Sequence, residues 1–398
     1  MSSPTASHSI LERRESEVRS YSRSFPTTFV KAKGSVLTDE TGREYIDFLA
    51  GCSSLNYGHN DPDMQSALVD YITNDGVTHG LDMQTDAKAA FLEAFERIVL
   101  EPRGMKHKIM MTGPTGTNAV EAAIKLARKV TGRRNVISFT NGFHGMTLGA
   151  LALTGNAGKR AGGGVSLPDV TRMPYEGAFG PDVDTLAQIE AMLDNTSAGV
   201  DAPAAFVVEL VQGEGGLTAV SKEWAEGIAR LAKKHGTKLI VDDIQAGIGR
   251  SGSFFSFDDF DIEPDMIPLA KSLSGLGLPF ALVLIRPEDD IWKPAEHNGT
   301  FRGNNHAFVT AAAALEKFWS DDRFISDVNE KARYLGERLA AIADEHGLTT
   351  KGRGMMVGID AGSGENAAAI CKACFAKGLI IETSGSFDEV VKVLCPLT

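Results

Sequence analysis

From about residue 105 onward the chain repeats one pattern: a short apolar or β-branched run, a glycine-bearing loop, then a helical stretch. Residues 108–112 read as a strand, 119–130 as a helix with apolar residues at helical spacing, and 135–139 as a strand again. The runs 204–210 and 238–241 are mainly β-branched or apolar, as strands are when both faces of a parallel sheet are covered. A helical stretch, 222–235, lies between those two runs and makes a βαβ crossover unit. This pattern constrains the fold more than any other feature. It requires an α/β architecture with a mostly parallel sheet flanked by helices. A chain of 398 residues has room for that core and for a second, smaller domain.

The flanking segments read differently. Residues 36–48 form two extended runs joined by Thr41-Gly42, a β-hairpin. A strand is expected over 280–285, followed by long helices at 306–319 and 325–346. The tail mixes strands (355–360, 379–382, 390–394) with one helix, which suits a small α+β domain. The polar, Ser-rich start, residues 1–9, is expected to be disordered or to form an arm over a partner subunit. The expected division is 1–50 as arm and part of the small domain, 51–304 as the large domain, and 305–398 as the rest of the small domain.

The formal charge of -12 argues against nucleic acid as a partner, because phosphate binding needs a positive surface. Four cysteines are too few for a disulfide scaffold. Cys371 and Cys374 form a C-x-x-C inside an Ala-rich helical stretch with no second ligand pair, so they read as buried helix cysteines rather than a metal site. No apolar run approaches the length that crosses a bilayer. A cytoplasmic, reduced setting without metal is the expectation.

Four local signals carry chemistry, and each has an ordinary structural reading beside the functional one. Thr112-Gly113-Pro114-Thr115-Gly116-Thr117-Asn118-Ala119 lies between a strand and a helix. Gly116 there would let a phosphate approach the backbone at the helix N-terminus, and the Thr117 hydroxyl would add a donor; the same residues could simply turn and cap the helix. Val241-Asp242-Asp243-Ile244-Gln245 follows a strand, where ligands of open parallel sheets sit. Asp242 could hold a ring nitrogen protonated, Gln245 could bond a phenolic oxygen and Ile244 could cover a ring face. Alternatively Asp242 caps a turn, or Asp242 and Asp243 bind a metal, and Ile244 is core. Lys271 stands among apolar residues, where desolvation would lower its pKa and make the amine nucleophilic; a surface lysine is the plainer reading. In Asn141-Gly142-Phe143-His144-Gly145, Phe143 could stack on a planar cofactor or simply pack.

Taken together and in this order, these signals resemble the class III (ω-) aminotransferases of fold type I. The resemblance runs from Tyr45-Ile46-Asp47-Phe48 to Cys395-Pro396-Leu397-Thr398, and is most specific at 242–245, at Gly247-Ile248-Gly249-Arg250-Ser251-Gly252 and around Lys271. It implies pyridoxal 5'-phosphate as cofactor, bound by the large domain. Gly116 and Thr117 would hold its phosphate, Phe143 and Ile244 would cover its ring, and Asp242 would pair with the ring nitrogen. Gln245 would meet the phenolic oxygen, and Lys271 would form the imine and act as catalytic base. Asn298-Gly299-Thr300-Phe301-Arg302-Gly303-Asn304 resembles a family loop whose threonine reaches the phosphate of the neighbouring subunit. That implies a homodimer with shared active sites, alone or paired into tetramers.

Residues 296–308 and Gly213-Glu214-Gly215-Gly216 further resemble the branch of this family that works between diaminobutyrate and 2-oxoglutarate in ectoine synthesis. That implies L-glutamate as donor and L-aspartate 4-semialdehyde as acceptor. Two departures bear on the substrate pocket. Where ornithine-type relatives carry an arginine paired with the glutamate of the Gln-Gly-Glu motif, this chain has Lys392; where they often carry another arginine, it has Met146. Lys392 is therefore expected as the partner of Glu214, a point charge rather than a planar fork. Arg302 is expected either to contact a substrate carboxylate or to form a subunit-interface ion pair. Cys52 stands where relatives place a substrate-touching residue, and equally reads as a plain buried cysteine. Relatives of this kind continue past Thr398 with a final helix, so a disordered or shortened tail is expected. Competing readings are an aminotransferase for ornithine, 4-aminobutyrate or putrescine, an aminomutase or decarboxylase, and a non-catalytic relative.

Overall fold

The computed structural model describes residues 6–398, with side chains from Ile10 onward. Expectations for residues 1–5 lie outside the described residues; from Ala6 to Arg14 the chain is helical.

The centre is a seven-stranded mixed sheet. Its strands, in chain order, are β1 (Lys108–Met111), β2 (Val136–Phe139), β3 (Val170–Met173), β4 (Ala205–Val208), β5 (Lys238–Val241), β6 (Met266–Leu269) and β7 (Leu282–Ile285). Across the sheet they run β1-β7-β6-β5-β4-β2-β3. All pairs are parallel except those of β7, which is antiparallel to β6 and to β1. Strands β2, β4, β6 and β7 are buried at every position. That is the physical reason their sequences are apolar without alternation: helices cover both faces and no position faces water.

Two helices set the geometry that matters later. Helix α1 (Gly116–Thr131) follows β1 and buries Val120, Ala123, Ile124 and Ala127 against the sheet. Thr115 and Asn118 close its N-terminus as a reciprocal capping box, and Gly132, with φ 69°, ends it in the left-handed conformation that glycine adopts without strain. Helix α2 (Lys222–His235) joins β4 to β5; the Ser221 hydroxyl accepts from Trp224 N at 3.1 Å to start it, and Gly236 stops it.

Strands near the two chain ends build two further sheets. The hairpin Val36–Asp39 and Glu44–Asp47, with Phe29–Lys33 at its edge, adds Leu379–Ile380 in parallel. The other sheet runs Thr349–Arg353, Met356–Asp360, Val390–Val393, Glu382–Ser384, all antiparallel. The single strand expected over 379–382 is thus two short strands in different sheets. The change of partner at Ile381 lets one segment tie the start of the chain to its end. Cys371 and Cys374 lie on the helix Gly364–Ala376 as expected, but half-buried rather than buried. Among the described residues no helix is long and apolar enough to cross a membrane, and no cluster of His, Cys, Asp or Glu could hold a metal.

Candidate active site

Strands β1, β5 and β6 end on one side of the sheet, and the loops beyond those ends enclose a cavity of about 510 Å³. Each loop contributes a different chemical group. Gly116 and Thr117, the first residues of α1, line one wall and present the positive end of the helix. A side chain on Gly116 would meet Ile244 Cδ1 at 3.0 Å, so glycine keeps that wall open. The Thr117 hydroxyl lies 2.7 Å from the Thr147 hydroxyl, which in turn donates to Glu121.

Asp242 follows β5 and is buried. Its Oδ2 lies 2.7 Å from His144 Nδ1, and its Oδ1 accepts from Ile244 N at 3.3 Å. Burial opposes a charge on His144, but the hydrogen bond and charge of Asp242 outweigh it and raise the imidazole pKa. His144 appeared in the sequence only as part of a loop motif; its role as partner of Asp242 was missed. Glu209, just past β4, was missed as well. Its carboxylate accepts from Phe143 N at 2.8 Å, and burial, reinforced by Asp242 and opposed by His144, pushes it up to about 7.

Lys271 opens a short 3-10 turn directly after β6, in the left-handed region at φ 53°. A lysine there carries backbone strain of about 1 kcal/mol or more. The next residue holds the turn in place: Ser272 Oγ donates to Ser53 O at 2.7 Å and accepts from Asn56 N at 2.9 Å. Burial lowers the pKa of the Lys271 amine, against the pull of Glu214. Phe143 and Ile244 line the same cavity, with Lys159 Nζ over the Phe143 ring at 4.6 Å. Gln245 Nε2 stands 3.4 Å from both Cys52 O and Glu214 Oε1.

Glu214 also lines the cavity, and its Oε1 is 2.8 Å from Lys392 Nζ. Burial would raise the Glu214 carboxyl, but Lys392 and then Lys271 outweigh it and hold it at about 2. Lys392 is fully buried, with a second carboxylate, Glu382, also at 2.8 Å. Sequence reasoning missed Glu382; no spacing along the chain links it to Lys392.

Four residues singled out from the sequence do not line this cavity within the chain; Lys392 touches it only through Glu214. The Cys52 thiol turns instead to the Tyr21 hydroxyl, 3.0 Å away. Ala50, Gly51, Cys52 and Ser53 all have positive φ, and this left-handed turn brings the backbone of Cys52 rather than its side chain toward Gln245. Thr300 and Arg302 lie on a 3-10 turn elsewhere, where Arg302 Nη1 bonds Asn298 Oδ1 at 3.1 Å beside Trp292 and His297.

One cavity therefore presents a helix N-terminus suited to a phosphate, a buried carboxylate for a cationic ring nitrogen, apolar faces for a flat ring and a desolvated amine for a carbonyl carbon. That combination fits pyridoxal phosphate group by group.

The same chain matches the model of the class-III aminotransferases over residues 18–398. It is 56% identical over 392 residues to a diaminobutyrate–2-oxoglutarate transaminase of Vibrio parahaemolyticus, covering 98% of this chain and 93% of the relative. A transaminase of the same name from Halomonas elongata is 56% identical over 395 residues, covering 98% and 94%. The fold is also that of the ornithine aminotransferase of Toxoplasma gondii, with a TM-score of 0.83 at 24% identity over 100% of this chain and 91% of that one.

Proposed function

The chain belongs to the class-III aminotransferases, and on that premise we propose that it moves an amino group between L-glutamate/2-oxoglutarate and L-aspartate 4-semialdehyde/L-2,4-diaminobutyrate. The cofactor is pyridoxal 5'-phosphate. When bound, it supplies an electron sink for the charge left at the substrate carbon when a proton departs. The reading rests chiefly on one observation: the buried Lys271 amine shares its cavity with an Asp242 carboxylate clamped by His144.

The chain's own residues divide the work. Lys271 Nζ would hold the cofactor covalently and, as a free amine, would be the base that takes the proton from the substrate carbon. Its lowered pKa keeps the released amine ready to accept that proton. Asp242 would pair with the ring nitrogen and keep it protonated, and His144 orients Asp242 through their hydrogen bond. Gly116 and Thr117 would hold the phosphate, Phe143 and Ile244 would cover the ring faces, and Gln245 would meet the phenolic oxygen. Glu214 and Lys392 form the charged end of the pocket that receives the far end of the substrate.

The loop carrying Thr300 and Arg302 supports a homodimer in which each subunit completes its neighbour's site. It lies apart from this chain's own cavity, and Phe301 at its tip is 65% exposed. The name borne by relatives at 56% identity supports the substrates. The first step of ectoine synthesis, in the cytoplasm, is the matching place in metabolism.

Borohydride reduction of the holoenzyme followed by peptide mapping tests the central residue: a pyridoxyl group on Lys271 is expected, and on any other lysine it would overturn the assignment. Glutamate formation from 2-oxoglutarate, measured in parallel with diaminobutyrate, ornithine, 4-aminobutyrate and putrescine, tests the substrate. Diaminobutyrate should give the highest kcat/KM; a higher value for any other amine rejects it.

A further inference from the structure

Lys392 does not face a single carboxylate. Its ammonium lies 2.8 Å from Glu214 Oε1 and 2.8 Å from Glu382 Oε1. The second contact is built into the backbone, because Glu382 and Lys392 are directly opposed across the antiparallel pair Glu382–Ser384 and Val390–Val393. The other oxygen of Glu382 accepts from the Tyr21 hydroxyl at 3.1 Å. The phenol's one proton being spent there, the Cys52 thiol 3.0 Å away donates to the phenol oxygen. Glu382 is thus fixed from both sides, with its side chain 11% exposed. Of the two carboxylates on Lys392, only Glu214 reaches the cavity.

We propose that Glu382 is a specificity-determining positioning residue: it sets the charge at the far end of the substrate pocket so that a substrate carrying a distal ammonium group is favoured. The proposal rests on the aminotransferase reading above. One cation held by two carboxylates leaves the cluster with a net negative charge, which attracts a distal ammonium. If a substrate carboxylate takes the place of Glu214 on Lys392, the ammonium keeps Glu382 and is never left buried without a counter-ion. The exchange is then one carboxylate for another. Without the charge of Glu382, the same cluster would be neutral with Glu214 in place and a bare cation without it. Such a pocket would favour dicarboxylates over amino-bearing substrates.

The test uses the holoenzyme and the isosteric change Glu382→Gln, which leaves Lys392 paired with Glu214 and leaves an acceptor for the Tyr21 hydroxyl. Diaminobutyrate and 4-aminobutyrate differ only in the distal ammonium. The ratio of their kcat/KM values should fall about tenfold, equivalent to about 1.4 kcal/mol, through KM rather than kcat. Glutarate, measured by calorimetry, should bind several-fold tighter. The conservative variant Glu382→Asp keeps the charge and should hold the substrate ratio near that of the unaltered enzyme, which a purely structural role for the longer side chain does not predict. Equal changes for both substrates, or glutarate binding that stays the same or weakens, would overturn the proposal. If the unaltered enzyme turns over neither amine, the substrate reading fails separately. Binding of glutarate and of a diamine to the Glu382→Gln variant then still decides the role of Glu382.

Discussion

Replacing Lys392 by methionine removes the one ammonium that lies between Glu214 and Glu382. Methionine has nearly the same length and no branch, so packing around this fully buried position is largely kept and the effect is electrostatic. Glu214 is held at about 2 instead of the ordinary 4.5, in spite of burial, with Lys392 the largest opposing cause. At about 1.4 kcal/mol for each pH unit, this amounts to about 3 kcal/mol of stability. Because the folded-state value is depressed, that contribution is fully present above pH 4.5 and is lost as the pH falls toward 2. Without Lys392, burial becomes the dominant influence and the sign reverses: the folded state then prefers the protonated acid and loses stability as pH rises above 4.5. The loss at neutral pH is therefore about 3–5 kcal/mol, the scale for removing one partner of a buried pair, against a total stability of about 5–15 kcal/mol. Urea unfolding followed by near-ultraviolet circular dichroism at pH 5.5 and pH 7.5 measures it. The variant should unfold at lower urea than the parent at both values, with the larger gap at pH 7.5. Equal midpoints for variant and parent at both pH values would refute the reasoning.

Three other perturbations probe the rest of the site. Asp242→Asn keeps a hydrogen bond to His144 but removes the charge facing the ring nitrogen, and should lower kcat by about a hundredfold or more with little change in KM, read by steady-state kinetics. In Gly213→Ala the new methyl would lie 1.4 Å from Gln245 Oε1, expelling that amide from the site and weakening cofactor affinity about tenfold, read by spectroscopic titration of the apoenzyme. Asp243, whose carboxyl burial raises to about 7, costs stability that is absent below pH 4 and grows as the pH rises to 7; Asp243→Asn should flatten the stability profile over that interval, measured by thermal unfolding across pH.

What the sequence made legible follows from how local the cause was. The runs 204–210 and 238–241 are mainly apolar because β4 and β5 are covered on both faces, so composition alone announced them. Gly132 and Gly236 end α1 and α2 for an equally local reason, a positive φ. Gly116, Asp242 and Lys271 follow β1, β5 and β6, and once a parallel sheet is inferred its strand ends gather such residues without further information. The misplaced boundaries have non-local causes. Nothing in residues 379–384 says that the first two pair with Glu44–Asp47 and the last three with Val390–Val393, because both partners lie elsewhere in the chain. Cys52 was expected either to touch substrate or to be a plain buried cysteine; the run of positive φ from Ala50 to Ser53 turns its thiol to Tyr21, and no composition signal announces such a turn at non-glycine residues. Tyr21, Glu382 and Lys392 meet only through tertiary register, so their association could not be read from spacing.

The two acids of the segment 209–214 show how one cavity keeps separate electrostatic ends. Glu209 and Glu214 are five positions apart and both line the cavity, yet burial carries one to about 7 while lysines hold the other at about 2. The difference lies in their cations. Lys392 can serve Glu214 because it is itself anchored by Glu382, and Lys271 adds to it. The cation that most opposes protonation of Glu209 is His144, and His144 is already committed to Asp242 at 2.7 Å. A single imidazolium cannot neutralise two buried carboxylates, so the one without the direct contact takes up a proton near neutrality. The consequence is a cofactor end whose one reliable negative charge is Asp242, matched to one positive ring nitrogen, and a substrate end whose surplus negative charge is set by Glu382. If Glu209 were ionised as well, it would compete with Asp242 for His144 and loosen the hold on the carboxylate that must stay charged.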